Sequence, residues 1–136
     1  MILPFLCPNL PQRALLFAAM NGLLAVALGA FGAHALEAHL SVAQLATWAT
    51  AVQYHMFHVA ALVGVQVLVD RQGADRALQR GADLFLLGIV LFCGSLYLLA
   101  LTGLRWLGPL TPLGGLAFLA GWLQLVLCCG RKRSHD

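Results

Sequence analysis

The chain has 136 residues, of which 61% are hydrophobic and only 10% charged, with a formal net charge of +3. A soluble domain carries roughly 25% charged residues. The composition therefore excludes an ordinary soluble fold, and the length allows one domain, placed in a membrane.

Charges divide the chain. No formally charged residue falls between Arg13 and Glu37, from 38 to 69, from 84 to 104, or from 106 to 130. A helix of about 20 apolar residues crosses a bilayer, so each interval holds one span.

In chain order, residues 1–12 carry Pro4, Pro8 and Pro11, which predicts an extended lead-in. The first span is expected at 14–33. Arg13, the apolar run after it and Ala33-His34-Ala35 resemble a secretory signal with a small-residue cleavage site. The run exceeds the roughly 7–15 residues of such a signal core, so it reads as a helix that stays. Ala18, Gly22, Ala25, Gly29 and Gly32 follow each other at steps of four and three, giving that helix a small-residue face. Residues 40–48, "LSVAQLATW", predict an interfacial turn or short helix with Ser41 as N-cap.

The second span is expected at 48–69, with Trp48 as an interfacial anchor. A charged connection over 70–83 leads to the third, at 84–101, where Gly81, Gly88, Ser95 and Thr102 recur at sevens. Arg105 and Trp106 mark the next connection. Thr111 and Pro112 read as the cap and first helical position of a fourth span at 112–129, which contains Gly114, Gly121 and a packing Trp122. Residues 130–136 form a basic tail. Small faces at this spacing favour tight neighbours. The predicted fold is all-α, an integral membrane antiparallel four-helix bundle in one domain.

Four spans place the N-terminus, the 70–83 connection and the C-terminus on one side. That side holds seven of the eight Lys and Arg residues, and only Arg105 lies opposite. The positive-inside rule then puts both termini in the cytoplasm. The basic charge follows from this topology and gives no support to nucleic-acid binding. Cys7, Cys128 and Cys129 fall on the cytoplasmic side and Cys93 mid-membrane, so no disulfide is expected.

Four segments occur in a characteristic order: "LGAFGAHAL" (28–36), "TAVQYHMFHVAAL" (50–62), "LFCGSLYLLALTG" (91–103) and "TPLGGLAFLAGW" (111–122). Together they resemble the YgdD family of small membrane proteins, a family without an assigned activity. The resemblance covers nearly the whole chain from about Arg13 onward. It implies four transmembrane helices and, in bacteria, residence in the inner membrane. His34 matches the family's "GAH", His58 the histidine closing the second-helix motif, and Ser95 and Tyr97 its "SLY". Many relatives have Gln where this chain has His55, and position 93 is often Ser.

Polar side chains inside the spans are the candidates for function. At 100° per residue, His55, His58, Leu62 and Gln66 share one face of the second helix, with Gln53 nearly opposite. Asn21, Cys93 and Ser95 reach similar depth, Tyr97 lies further out, and His34 marks the outer mouth. Three readings compete for this line. Neutral groups could hydrogen-bond between helices and lock them. His55 and His58, with His34 or Cys93, could ligate a metal, although no recognised metal spacing is present. The histidines could also relay a proton or line a path for a small solute. The acidic residues all lie outside the spans, so no Ser-His-Asp set is credible and an enzyme is not expected. The first reading is preferred, because polar side chains commonly join membrane helices. No cofactor is expected. The expected partners are the lipid bilayer and either further copies of the chain or a larger membrane protein. Added cysteines in the Glu37 and Arg105 connections should react with an impermeant thiol reagent from outside, and one near Gln79 should not. Labelling at Gln79 alone would invert the topology.

Overall fold

A computed structural model describes residues 13–73 and 75–132, without the side chains of 131 and 132. The lead-in over 1–12, Cys7 with it, and the basic side chains of the tail lie outside the described residues. Helix α1 spans Arg13–His34 and α2 spans Val42–Gln72. Helix α3, Arg76–Gly88, runs through a π turn at Ile89–Cys93 into α4, Gly94–Thr102. A 3₁₀ turn, Arg105–Leu107, precedes α5, Leu110–Lys132. Among the described residues four segments are long and apolar enough to cross a membrane: Arg13–His34, Val42–Gln72, Arg76–Thr102 and Arg105–Gly130. The described residues contain no strand.

The helices are longer than charge alone predicts. The expected separate element at 40–48 is the first part of α2. Gln44 N–H donates to Ser41 Oγ at 3.3 Å and Ser41 N–H donates to Gln44 Oε1 at 3.0 Å, a capping box that starts one continuous helix of 31 residues. Gln44 Nε2 also donates to the Ala100 carbonyl at 2.9 Å, tying this first turn to α4. At 1.5 Å per residue α2 is roughly 45 Å long, beyond the hydrocarbon thickness of roughly 30 Å.

The connection expected over 70–83 is likewise short. Gly73 turns at φ 85° and Asp75 accepts from Ala77 N–H at 2.9 Å, so the charged stretch from Arg76 enters α3. The fourth helix begins at Leu110, ahead of the expected Thr111 cap. Pro112 is tolerated there because the first-turn N–H groups need no intrahelical partner.

Contacts run between α1 and α2, between α2 and the third span, and between the third span and α5. Each pair meets in reversed chain order. Gly22 faces Val59, Gly29 faces Val52 and Gly32 faces Trp48. On the other side Gly81 faces Leu125, Gly88 faces Phe118 and Gly114 faces Phe92, while Gly121 faces Phe85. The small face of α1 is the packed one: Ala18, Ala25 and Gly32 are buried and Gly22 and Gly29 half-buried. Leu23, by contrast, is 78% exposed toward the surroundings.

Trp48 departs from its expected role as an anchor. It is 4% exposed, its indole fits the notch left by Gly32, and its Nε1–H donates to the Leu28 carbonyl at 2.9 Å. A glycine one helix away turns a surface aromatic into a core one. Trp106 remains exposed. In the third span Gly81, Gly88 and Ser95 are buried, whereas Thr102 is exposed and donates to its own helix at Leu98.

The glycines are not equivalent. A Cβ at Gly22 would lie 3.4 Å from Val59, an ordinary contact, but one at Gly114 would lie 2.7 Å from the Phe92 Cα, which cannot rotate away. Gly114→Ala should therefore lower stability by about 1–3 kcal/mol. Gly22→Ala should be neutral or stabilising by up to about 1 kcal/mol. Unfolding in mild detergent measures both, and equal losses would contradict the packing.

Candidate functional site

The polar face of α2 forms as its spacing predicts. His55, His58, Leu62 and Gln66 are all buried, and Gln53 is exposed on the other side. The two histidines share this face but enter different seams, because residues three apart differ by about 60° around the axis.

His55 points between α1 and α4. Its Nε2 lies 3.2 Å from Asn21 Oδ1 and its Nδ1 lies 3.3 Å from the Tyr97 hydroxyl. Asn21 uses its Nδ2 to donate to the Phe17 carbonyl at 2.8 Å, so its Oδ1 can only accept. Nε2 of His55 therefore carries a proton, and in the neutral ring Nδ1 accepts from Tyr97 O–H. One neutral ring joins three helices.

His58 points toward α5. Its Nδ1 lies 2.8 Å from the Tyr54 carbonyl, one turn back, which can only accept. The proton is thus on Nδ1, leaving Nε2 to accept from Trp122 Nε1–H at 3.3 Å. The ring stacks on Phe118, with centroids 3.5 Å apart and planes 8° from parallel. Neighbouring histidines on one helix thus hold opposite tautomers, and each uses both of its nitrogens.

The remaining candidates lie apart. Ser95 is buried against α5, where its hydroxyl is 2.8 Å from Thr111 Oγ1 and donates to the Phe92 carbonyl at 3.0 Å. It does not reach His58, and neither does Asn21. His34 is exposed at the end of α1. The polar line expected from the outer mouth to the midplane is thus divided into separate hydrogen-bonded nodes. Buried Leu62 stands between the histidine level and Gln66, which donates to Asp70 at 2.8 Å. Among the described residues no three His, Cys, Asp or Glu side chains are grouped to hold a metal. Cys93, Cys128 and Cys129 form no disulfide among the described residues, and the first of them is buried.

Trp122 and Phe118 complete the His58 node and were legible only in part. An indole N–H within a span needs an acceptor, which marks Trp122. Nothing in its spacing identifies His58 as that acceptor. At the end of the molecule where α2 turns into α3, Arg13 pairs with Asp83 at 3.5 Å beside a cavity of about 40 Å³ that Gln66 and Gln79 also line. Both charges are exposed, so this pair contributes little. A larger groove of about 810 Å³ opens between α2 and α5, walled by Tyr54, Phe57, Phe118 and Trp122.

Residues 28–115 match the family described as "Protein of unknown function (DUF423)". The chain is 45% identical over 113 residues to the UPF0382 membrane protein YwdK of Bacillus subtilis, covering 83% of this chain and 92% of that one. It is 42% identical over 126 residues to the UPF0382 inner membrane protein YgdD of Escherichia coli K12, covering 90% and 95%. A similar match, 42% over 113 residues, is to the UPF0382 membrane protein SH2409 of Staphylococcus haemolyticus, covering 83% and 91%. No solved structure matches.

The tautomer assignment is directly measurable. Nitrogen chemical shifts of ¹⁵N-histidine protein in lipid should show His55 protonated on Nε2 and His58 on Nδ1. Trp122→Phe should perturb Nε2 of His58 and leave His55 unchanged. Matching tautomers at the two rings would contradict the hydrogen-bond geometry.

Proposed function

The chain belongs to the UPF0382 (DUF423) family of membrane proteins, and on that premise we propose that it is a non-catalytic packing or assembly component of the bacterial inner membrane. In this reading it is an antiparallel four-helix bundle with both termini in the cytoplasm, needing no cofactor. It works with the bilayer and with either another copy or a larger membrane protein.

One observation carries the reading: both ring nitrogens of His55 and of His58 lie within hydrogen-bond distance of a partner, and the two rings thereby tie α2 to α1, α4 and α5. A metal would have to displace a hydrogen bond at either ring to gain a lone pair. A proton relay would have to cross between the two nodes, which share no hydrogen bond among the described residues, and then pass Leu62, which is 0% exposed, to reach Gln66. The four-span order assigns seven of the eight Lys and Arg residues to one side, which supports cytoplasmic termini. The inner-membrane placement draws on the name of the Escherichia coli relative.

Substitution separates a lock from a site. His58→Leu removes the acceptor for Trp122 and should cost about 1–3 kcal/mol. His58→Gln, which can still accept there, should cost less, and His55→Gln should be mild. Metal content after purification and proton uptake into liposomes should be the same for all three as for the unaltered chain. Unchanged stability combined with lost metal or lost flux would reject the structural reading in favour of a ligand site or conductor.

A further inference from the structure

Helix α2 turns one long face away from the rest of the molecule. Ala46, Ala49, Gln53, Ala60 and Gly64 fall within about 60° of one another around its axis, and all five are exposed. Gln53 stands on a ridge between two grooves, one toward α5 beside Tyr54 and Phe57, the other toward α1 beside Ala49 and Val52.

Two of these residues have no explanation within a single copy. A Cβ at Gly64 would meet nothing within 4 Å, so no neighbouring helix of the chain calls for glycine there. Glycine inside a helix weakens it relative to Ala; Gly94 and Gly130 are open in the same way, and Gly64 is the one that shares a face with Gln53. Gln53 carries an amide on the outward face, inside the apolar run, and no described residue hydrogen-bonds it. Hydrocarbon supplies neither a donor nor an acceptor.

We propose that this face of α2 is a homodimer interface, in which Gln53 of one copy hydrogen-bonds Gln53 of the other. The proposal rests on the assembly reading above and specifies its partner. Copies inserted in the same orientation are related by a two-fold axis along the membrane normal, so a residue at that axis meets itself at its own depth. An amide has both a donor and an acceptor, so two of them satisfy each other across such an axis. The small residues on either side let the helices approach closely enough for those bonds, the combination that joins membrane helices generally. A lipid chain could fill the flanking grooves but would leave the amide without a partner.

The test uses the full chain in mild detergent and in liposomes at increasing lipid dilution. Sedimentation equilibrium and energy transfer between labelled copies give the association constant. The unaltered chain should be dimeric, and Gln53→Leu should weaken association by about tenfold or more. Gly64→Leu should do the same by holding the helices apart. Leu119→Ala, on the exposed face of α5, should leave association unchanged. Both changes in α2 lie on the outside of a single copy, so helix content by circular dichroism should not move. A monomeric unaltered chain, or a dimer indifferent to both α2 substitutions, would overturn the proposal. A different membrane protein retained at equal stoichiometry and lost with Gln53→Leu would also overturn it, while leaving the assembly reading standing. Lost metal or proton flux in the His58 variants would remove that reading without altering the oligomeric state.

Discussion

Hydrocarbon offers a buried polar group no hydrogen bond, so every donor and acceptor within the spans must be answered by the protein or by something bound to it. That constraint explains why neutral imidazole is useful here. One ring presents a donor and an acceptor about opposite each other, and so can link two elements without a net charge. His55 does this between Asn21 and Tyr97, and His58 between the carbonyl of its own helix and Trp122. The same demand accounts for the Trp48 indole on the Leu28 carbonyl and for the Ser95–Thr111 pair. Each link fixes a relative rotation of two helices, which dispersion contacts between apolar faces specify only loosely.

Such links reach only if the backbones are close, and the glycines set that distance. On α1, Gly32 leaves a notch that the Trp48 ring fills, and Gly22 and Gly29 seat Val59 and Val52. On the other side Gly88 seats the Phe118 ring and Gly121 the Phe85 ring. Phe118, held by Gly88, is the surface on which His58 stacks. The polar node and the small-residue seam are therefore one device, and a change in either displaces the other.

How much of this is legible in the sequence depends on how local each cause is. Charge-free intervals locate the four helices because the energy of burying a charge in lipid is local to the residue. The small face of α1 and the polar face of α2 are also legible, since each depends on one helical period. Helix ends are less so: Arg76, Arg80 and Asp83 look like loop because they are charged, yet Asp75 caps them into α3. Trp48 misleads because its fate depends on Gly32, sixteen residues earlier. The partners of His55 and His58 are not legible, because each choice depends on the rotation of another helix. Asn21 and Ser95 stand at the right depth for His58, but they face other seams.

The rotation of α4 has a particular cause in the π turn at Ile89–Cys93, where the Gly94 N–H reaches back to Ile89. A π turn takes up one extra residue, which rotates the helix beyond it by up to roughly 100° relative to an unbroken α-helix. Tyr97 lies beyond the turn and meets His55 on that shifted face. The turn also widens the helix locally, and the wide backbone needs room. Gly114 provides it: the Phe92 backbone, inside the turn, lies where a Cβ on Gly114 would be. A regular heptad of small residues in the third span therefore describes only part of the seam. What fits α4 against α2 and α5 together is an irregularity in one helix matched by a glycine in another, and the polar contact of His55 with Tyr97 depends on that match.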